Sequence, residues 1–163
     1  MPTPPLAALR EVHVPRTALD ALCFSPVVFD ALIGENERSA LFEKTLRADD
    51  PGVAAQRVTP RWPHHLPGEL VIGLTGQAAT ILLRRLGVID ASWRGHGVRI
   101  TDARYSAPVL VGERFLTHID IARTRRLRDS LHLRLHYRMW KHDPAGAEIE
   151  TYRSEQDAIF FPG

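Results

Sequence analysis

The sequence predicts an α+β fold: one long helix held by a curled antiparallel sheet. Three features carry that prediction. His65–Leu86, HLPGELVIGLTGQAATILLRRL, is apolar on every side of a helix, through Leu70, Val71, Ile72, Leu74, Ala78, Ala79, Ile81, Leu82, Leu83 and Leu86. A surface helix shows one apolar stripe, so a helix of this kind has to be wrapped by other elements. Downstream, Leu131, Leu133, Leu135, Tyr137 and Met139 alternate with His132, Arg134, His136 and Arg138, the period of a strand with one buried face. Finally, Asp143-Pro144-Ala145-Gly146 is a turn that returns Ala147–Phe161 as an antiparallel neighbour.

The remaining elements follow in chain order. Residues 1–12, Pro-rich at the start, predict a loose tail. Thr17–Leu22 or Val27–Ile33 predicts a short helix, Gly34-Glu35-Asn36 a turn, and Ser39–Arg47 a strand. Asp49-Asp50-Pro51-Gly52 is a loop signal, and Gln56–Trp62 predicts a short extended piece entering the long helix. After the helix, Val98, Ile100 and Tyr105 among polar neighbours predict a strand that stops at the breaker Ser106–Glu113. Phe115–Ile121 is the next strand, and the two long strands above complete a meander.

Composition narrows the function classes. A chain of 163 residues with 44% hydrophobic content fits one domain over residues 1–163. A net charge of +2, from 21 basic and 19 acidic residues, is too balanced to indicate nucleic acid. The helix approaches the ~20 residues of a bilayer span, but Glu69, Gln77, Arg84 and Arg85 argue against lipid. Cys23 is the single cysteine, so neither a disulfide framework nor a thiolate metal cage is available. His132 and His136 share a strand face but stand too far apart for one metal ion. With no dinucleotide or Walker loop and no Gly-x-Ser-x-Gly turn, no metal or organic cofactor is expected. The first residues show no apolar signal core behind a basic start, which sets the expectation of a cytoplasmic protein.

Two phrases resemble a known family. Pro67–Ala79, PGELVIGLTGQAA, is similar without a gap to the second half of the motif HFPGxPxxPGVLxxEAMAQAG of FabZ-type β-hydroxyacyl-acyl-carrier-protein dehydratases. Ile100–Phe115, ITDARYSAPVLVGERF, resembles their later phrase ARFKRPVxPGDxL. FcoT-type long-chain acyl-CoA thioesterases share the spacing from His65 to Gln77 and the strand order that follows. Over about Ser39–Phe160 the resemblance implies the hotdog fold, a sheet wrapped around one central helix, and acyl-thioester substrates. The dehydratases use a loop His and a helix carboxylate. Here Gly73 stands at the acid position and Thr59 at the His position. Equating His65-Leu66-Pro67-Gly68 with HFPG deletes six residues and puts His65 at the His position, but the acid is still missing. The dehydratase mechanism is therefore disfavoured, unless another acid such as Glu69 substitutes.

The candidate site gathers at the helix start. His65 and, behind it, His64 are candidate bases, because a neutral imidazole takes a proton near pH 7; either is also an ordinary packing or capping residue. Glu69 is a first-turn acid favoured by the helix dipole, or a carboxylate that activates water. Backbone N–H groups after Gly68 are free to bind a thioester carbonyl oxygen. Gly73 and Gly76 either admit a closely crossing strand or open a tunnel for an acyl chain. Gln77, a polar group on an apolar helix, ties the helix to the sheet or a partner, or positions substrate. Arg125, Arg126 and Arg128, with Arg123, form either a solvated turn or a rim for coenzyme A phosphates or an acidic carrier protein.

These residues leave two classes of function. One is an acyl-thioester enzyme, a thioesterase first, with nucleophile addition or dehydration of carrier-protein thioesters as variants. The other is a non-catalytic acyl-binding subunit. Either is expected as a homodimer, since pairing two sheet edges removes an exposed edge strand.

Overall fold

The computed structural model describes residues 8–163. Its strands are β1 (Arg10–Pro15), β2 (Ala31–Glu35), β3 (Ser39–Thr45), β4 (Arg94–Tyr105), β5 (Arg114–Leu127), β6 (Ser130–His142) and β7 (Glu148–Phe161). They form one antiparallel sheet in the order β1-β2-β3-β5-β6-β7-β4, which does not close into a barrel. Helix α1 (Arg16–Leu19) and a 3₁₀ turn (Asp20–Leu22) follow β1, and helix α2 (Gly68–Arg85) joins the two halves of the sheet.

The N-terminal third departs from the sequence reading. Arg10–Val12, expected in a loose tail, belong to β1; residues 1–7 of that tail lie outside the described residues. Thr17–Leu22 is helical, but Val27–Ile33 is not. Val27, Val28 and Phe29 run extended into β2 as core residues, and Phe29 stacks on Phe42 with ring centroids 4.5 Å apart. Three apolar residues that face one core from an extended chain outweigh a weak helical period. Gly34 and Glu35 end β2, and the turn itself is built by Asn36, whose Oδ1 accepts from the N–H groups of Arg38 (2.9 Å) and Ser39 (2.7 Å).

Helix α2 is the centre of the core. Leu74, Ala78, Ile81 and Leu82 are fully buried in one cluster with Phe42, Phe115, Ile119, Leu135 and Tyr137. Polar ties fix the helix along its length. Gln77 Oε1 accepts from Val28 N–H at 2.9 Å, and its Nε2 donates to Pro26 O at 2.9 Å. The Tyr137 hydroxyl donates to Thr75 O at 2.7 Å, and Arg85 grips Glu35 through two bonds of 2.6 Å at the far end. The wrapping is nonetheless incomplete. Glu69, Ile72, Gly73 and Gly76 form an exposed stripe at helical spacing. Beside this stripe β4 is an edge strand, paired only with β7 and exposed along nearly its whole length.

Two bulges shape this end of the sheet. Between Thr101 and Arg104 the register of β4 slips against β7, with Asp102 at φ 52°. Between β6 and β7, Met139 pairs with Tyr152 but Trp140 with Glu150, so Thr151 is the extra residue. Strict alternation would turn Thr151 away from Tyr152; the bulge lets both be buried.

Strand β5 is buried on both faces from Phe115 to Asp120. On the face away from the helix, Asp120 accepts Arg38 through two bonds of 2.8 and 2.6 Å and the Ser39 hydroxyl at 2.7 Å. His118 lies between Leu41 and Arg138 in register. Burial pushes its imidazole down to about 4; the Asp120 carboxylate opposes the shift, and the Arg138 and Arg38 guanidiniums add to it. The unfolded chain therefore takes up a proton near pH 6.5 that the folded chain refuses until about 4. Stability falls as pH drops through that window, by about 3 kcal/mol in all. Urea unfolding at a series of pH values should show this loss, and His118→Gln, which cannot titrate, should flatten it. An unchanged slope in that variant would place the acid sensitivity elsewhere.

Candidate active site

The first turn of α2 opens onto a cavity of about 880 Å³. The local sequence explains why the turn is free. Pro67 precedes the helix in an extended conformation and has no side-chain oxygen, so no side chain caps the first N–H groups. The cavity wall is built from His65, Leu66, Gly68 and Val71 at the helix start, Tyr105–Leu110 after β4, and Thr151 and Tyr152 on β7. Arg61 and Trp62 stand at it as well, with the Arg61 guanidinium 5.9 Å from the indole centroid.

His65 is fixed in this wall by its backbone and its ring. Its N–H donates to Gln56 Oε1 at 3.0 Å, and it forms a β-bridge with Leu110. Its Nδ1 lies 3.0 Å from Pro63 O. A carbonyl only accepts, so in the neutral ring Nδ1 carries the proton and Nε2 keeps its lone pair. His64 is held differently: its Nδ1 donates to Val53 O at 2.8 Å, tying the preceding loop to the helix entry.

Two of the chain's three tyrosines, Tyr105 and Tyr152, stand at this helix start, and the third, Tyr137, bonds to Thr75 O two turns further along. A Cβ placed on Gly68 would lie 3.5 Å from the Tyr105 hydroxyl, so that hydroxyl sits against the first turn. The Tyr105 and Tyr152 rings are tilted neighbours with centroids 4.9 Å apart. Burial raises the hydroxyl pKa of Tyr105, and raises that of Tyr137 well above the ordinary value, which keeps both as neutral hydrogen-bond donors. Thr151 and Tyr152 carry no motif, and Tyr105 falls within the phrase Ile100–Phe115 without being marked there as a site residue. Tyr105 reads as a strand residue, and a bulge at Thr151 has no signature in alternation.

The other expected site residues are distributed around a second cavity and beyond. Glu69, Gly73 and Gln77, spaced four apart on one helix face, line a separate cavity of about 650 Å³ with Arg16, Arg47 and Asp49. Glu69 and His65 thus line different cavities. No carboxylate occurs among the described residues lining the first cavity. Gly73 and Gly76 have open space where a Cβ would be. The Thr59 hydroxyl is taken up in its own turn, accepting from Trp62 N–H at 3.1 Å. Arg125 and Arg126 pair with His132 and Leu131 near the tip of the β5–β6 hairpin, with Arg128 at the tip itself. Leu131 stands opposite Phe160, eight positions along β6 from the Met139–Tyr152 pair, ~26 Å at the rise of a strand. Within one chain the hairpin arginines are remote from the cavity.

No family model and no curated protein sequence matches the chain. Solved structures do. One is a dehydratase heterocomplex, ApeI:P from Xenorhabdus doucetiae, at 15% identity with 92% of each chain covered and a TM-score of 0.62. Another is a mutant 4-hydroxybenzoyl CoA thioesterase complexed with 4-hydroxybenzoyl CoA, at 13% identity over 76% of this chain and 84% of that one, TM-score 0.57. A hot-dog-like protein from Thermanaerovibrio acidaminovorans is similar at 14% identity over 76% and 81%, TM-score 0.56. The architecture is the hotdog fold, as the two sequence phrases imply.

Proposed function

We propose that the protein hydrolyses acyl thioesters of coenzyme A or of an acyl carrier protein. The observation that carries this reading is the uncapped first turn of α2 opening onto an apolar-walled cavity beside His65, whose Nε2 is unprotonated in the neutral ring. The thioester carbonyl would accept from the N–H groups after Gly68, which stabilise the oxyanion as charge develops. His65 would take the proton of the attacking water and give it to the departing sulfur as the C–S bond breaks, releasing the acid and the free thiol. Hydrolysis is favoured over dehydration because the dehydratase pattern pairs the His with a carboxylic acid for the departing hydroxyl, and no carboxylate lines this cavity among the described residues. The solved thioesterases and the dehydratase that share the fold are consistent with thioester chemistry.

Incubation with a panel of acyl-CoA and acyl-carrier thioesters tests the reading by release of free thiol. Turnover supports hydrolysis. An enoyl product in place of thiol would favour the dehydratase reading, and binding without turnover the non-catalytic one.

The active form is a homodimer joined through β4. That strand presents twelve residues along an open edge, with Val98 58%, Ile100 42% and Tyr105 58% exposed. The opposite edge, β1, is short, irregular and ends in Pro15, so it is the poorer template. Light scattering should give twice 18.3 kDa at micromolar concentration, and Val98→Lys with Ile100→Lys should shift the mass to the monomer. A wild-type monomer would overturn the assignment.

A further inference from the structure

Tyr105 brings to the start of α2 a hydroxyl that the dehydratase phrase lacks. Where ARFKRPVxPGDxL has Phe, the matching stretch ITDARYSAPVLVGERF has Tyr105. Either ring would serve packing, since both offer the same apolar body; what differs is the oxygen. Its position is well defined. It stands 3.5 Å from the point a Cβ would occupy on Gly68, with the ring carbon that bears it at 3.8 Å. Tyr105 and Gly68 both belong to the wall of the cavity that holds His65. Among the described residues none hydrogen-bonds this hydroxyl, whereas Tyr137 donates to Thr75 O.

The backbone is bent to bring the side chain there. Thr101 pairs with Glu155 and Tyr105 with Tyr152. The two partners are three positions apart on β7, so they lie on opposite faces of the sheet. On β4 Thr101 and Tyr105 are four positions apart, and plain alternation would leave them on one face. The extra residue of the bulge between Thr101 and Arg104, with Asp102 held at φ 52°, makes the difference. It turns Tyr105 to the helix side, where its ring meets that of Tyr152. Pairing of two β4 edges would use main-chain groups and leave this orientation unchanged.

We propose that the Tyr105 hydroxyl donates a hydrogen bond to the thioester carbonyl oxygen and shares the oxyanion with the helix N–H groups. The inference rests on the acyl-thioester reading above and adds a catalytic side chain to it. That reading places the carbonyl oxygen at the N–H groups after Gly68, and the hydroxyl lies against Gly68. As water adds, charge grows on this oxygen and the bond from Tyr105 strengthens. When the C–S bond breaks, the C=O bond re-forms and the hydrogen bond relaxes. Tyr105 keeps its proton throughout, and the proton of the water still travels through His65. Burial and the neighbouring Tyr152 raise the Tyr105 pKa, so the hydroxyl stays a neutral donor.

The test is Tyr105→Phe, which restores the ring of the dehydratase phrase and deletes only the oxygen. The substrates are the decanoyl thioesters of coenzyme A and of an acyl carrier protein. With these, kcat should fall about a hundredfold while KM stays within about threefold, as expected for a bond made chiefly in the transition state. The variant should melt with the wild type, because the hydroxyl bonds nothing in the chain. A second measurement reads the bond without turnover. The better-bound decanoyl thioester, labelled with carbon-13 at its carbonyl, is added to His65→Ala and to His65→Ala with Tyr105→Phe. In infrared difference spectra the carbonyl stretch should lie lower in the first protein, where the hydroxyl polarises it. Unchanged kcat in Tyr105→Phe overturns the inference and leaves the hydrolysis reading standing. A loss of kcat with an unmoved stretch overturns it too, as does a lowered melting point that accounts for the loss. A stretch that depends on Tyr105 in a protein that releases no thiol removes the hydrolysis reading and leaves this bond in place. Binding of neither thioester overturns both.

Discussion

His65→Ala should lower kcat for thioester hydrolysis at least a hundredfold and leave the fold intact. Loss of a general base costs ~10²–10⁴ in rate. The side chain contributes little else: its ring makes one hydrogen bond, to Pro63 O, and the loop is held by the backbone contacts of His65 with Gln56 and Leu110. KM should change little, because binding depends on the cavity wall and the helix N–H groups. The nearby controls sharpen the assignment. His64→Ala should act mainly on stability, since its ring ties Val53 O and not the cavity. Glu69→Gln should leave kcat within a few-fold, because Glu69 lines the second cavity. Full turnover in His65→Ala, or a Glu69→Gln loss as large as that of His65→Ala, would move the base away from His65.

The buried helix was legible because its signal is local. Leu70, Leu74, Ala78 and Ile81 repeat at helical spacing, and the alternation of Leu131–Met139 with basic residues is equally local. The exposed stripe Glu69–Gly76 was hidden by the same feature, because glycines and one isoleucine read as apolar wherever they point. Strand β5 is buried on both faces only to Asp120; the six residues beyond Ile121 continue it as a mostly exposed, basic stretch whose pattern does not mark a strand. The candidate site was legible in its backbone and His65, which lie in one stretch of sequence. It was illegible where it depends on register. Tyr105 and Tyr152 meet because β4 and β7 pair with bulges at Asp102–Ala103 and Thr151, and no single-strand pattern encodes that meeting. The separation of Glu69 from His65 is also geometric, since one residue of helical rotation turned the carboxylate toward a different cavity.

Lys44→Met should destabilise the protein by about 3–5 kcal/mol, and Asp50→Asn by a comparable amount. Lys44 is wholly buried at the end of β3, where its neighbour in register is Phe115, and its ammonium meets the Asp50 carboxylate at 2.9 and 2.8 Å. Removing either partner strands the other charge in the core. The pair matters for the site because Asp50 organises the loop that leads to it. Its carboxylate also accepts Arg47 N–H at 2.7 Å, and its carbonyl accepts Val53 N–H at 3.1 Å. Gly52 follows at φ 82°, and a Cβ there would lie 3.3 Å from Pro67, the residue before the helix; the loop is thus packed against the entry to α2. Val53 O and Gln56 then hold His64 and His65. Replacing both partners by apolar residues, Lys44→Met with Asp50→Leu, removes the unpaired charge but not the need for the loop's hydrogen bonds. The double variant should therefore recover much of the stability lost by either single one, as buried ion pairs often do when replaced together. Turnover should stay depressed, because Arg47 N–H has lost its acceptor and the loop behind His65 is released. Urea unfolding and thiol release on the three variants separate the two effects. Single variants that cost under about 1 kcal/mol would show that the pair is not structural. A double variant with wild-type turnover would show that the loop positions His65 without it.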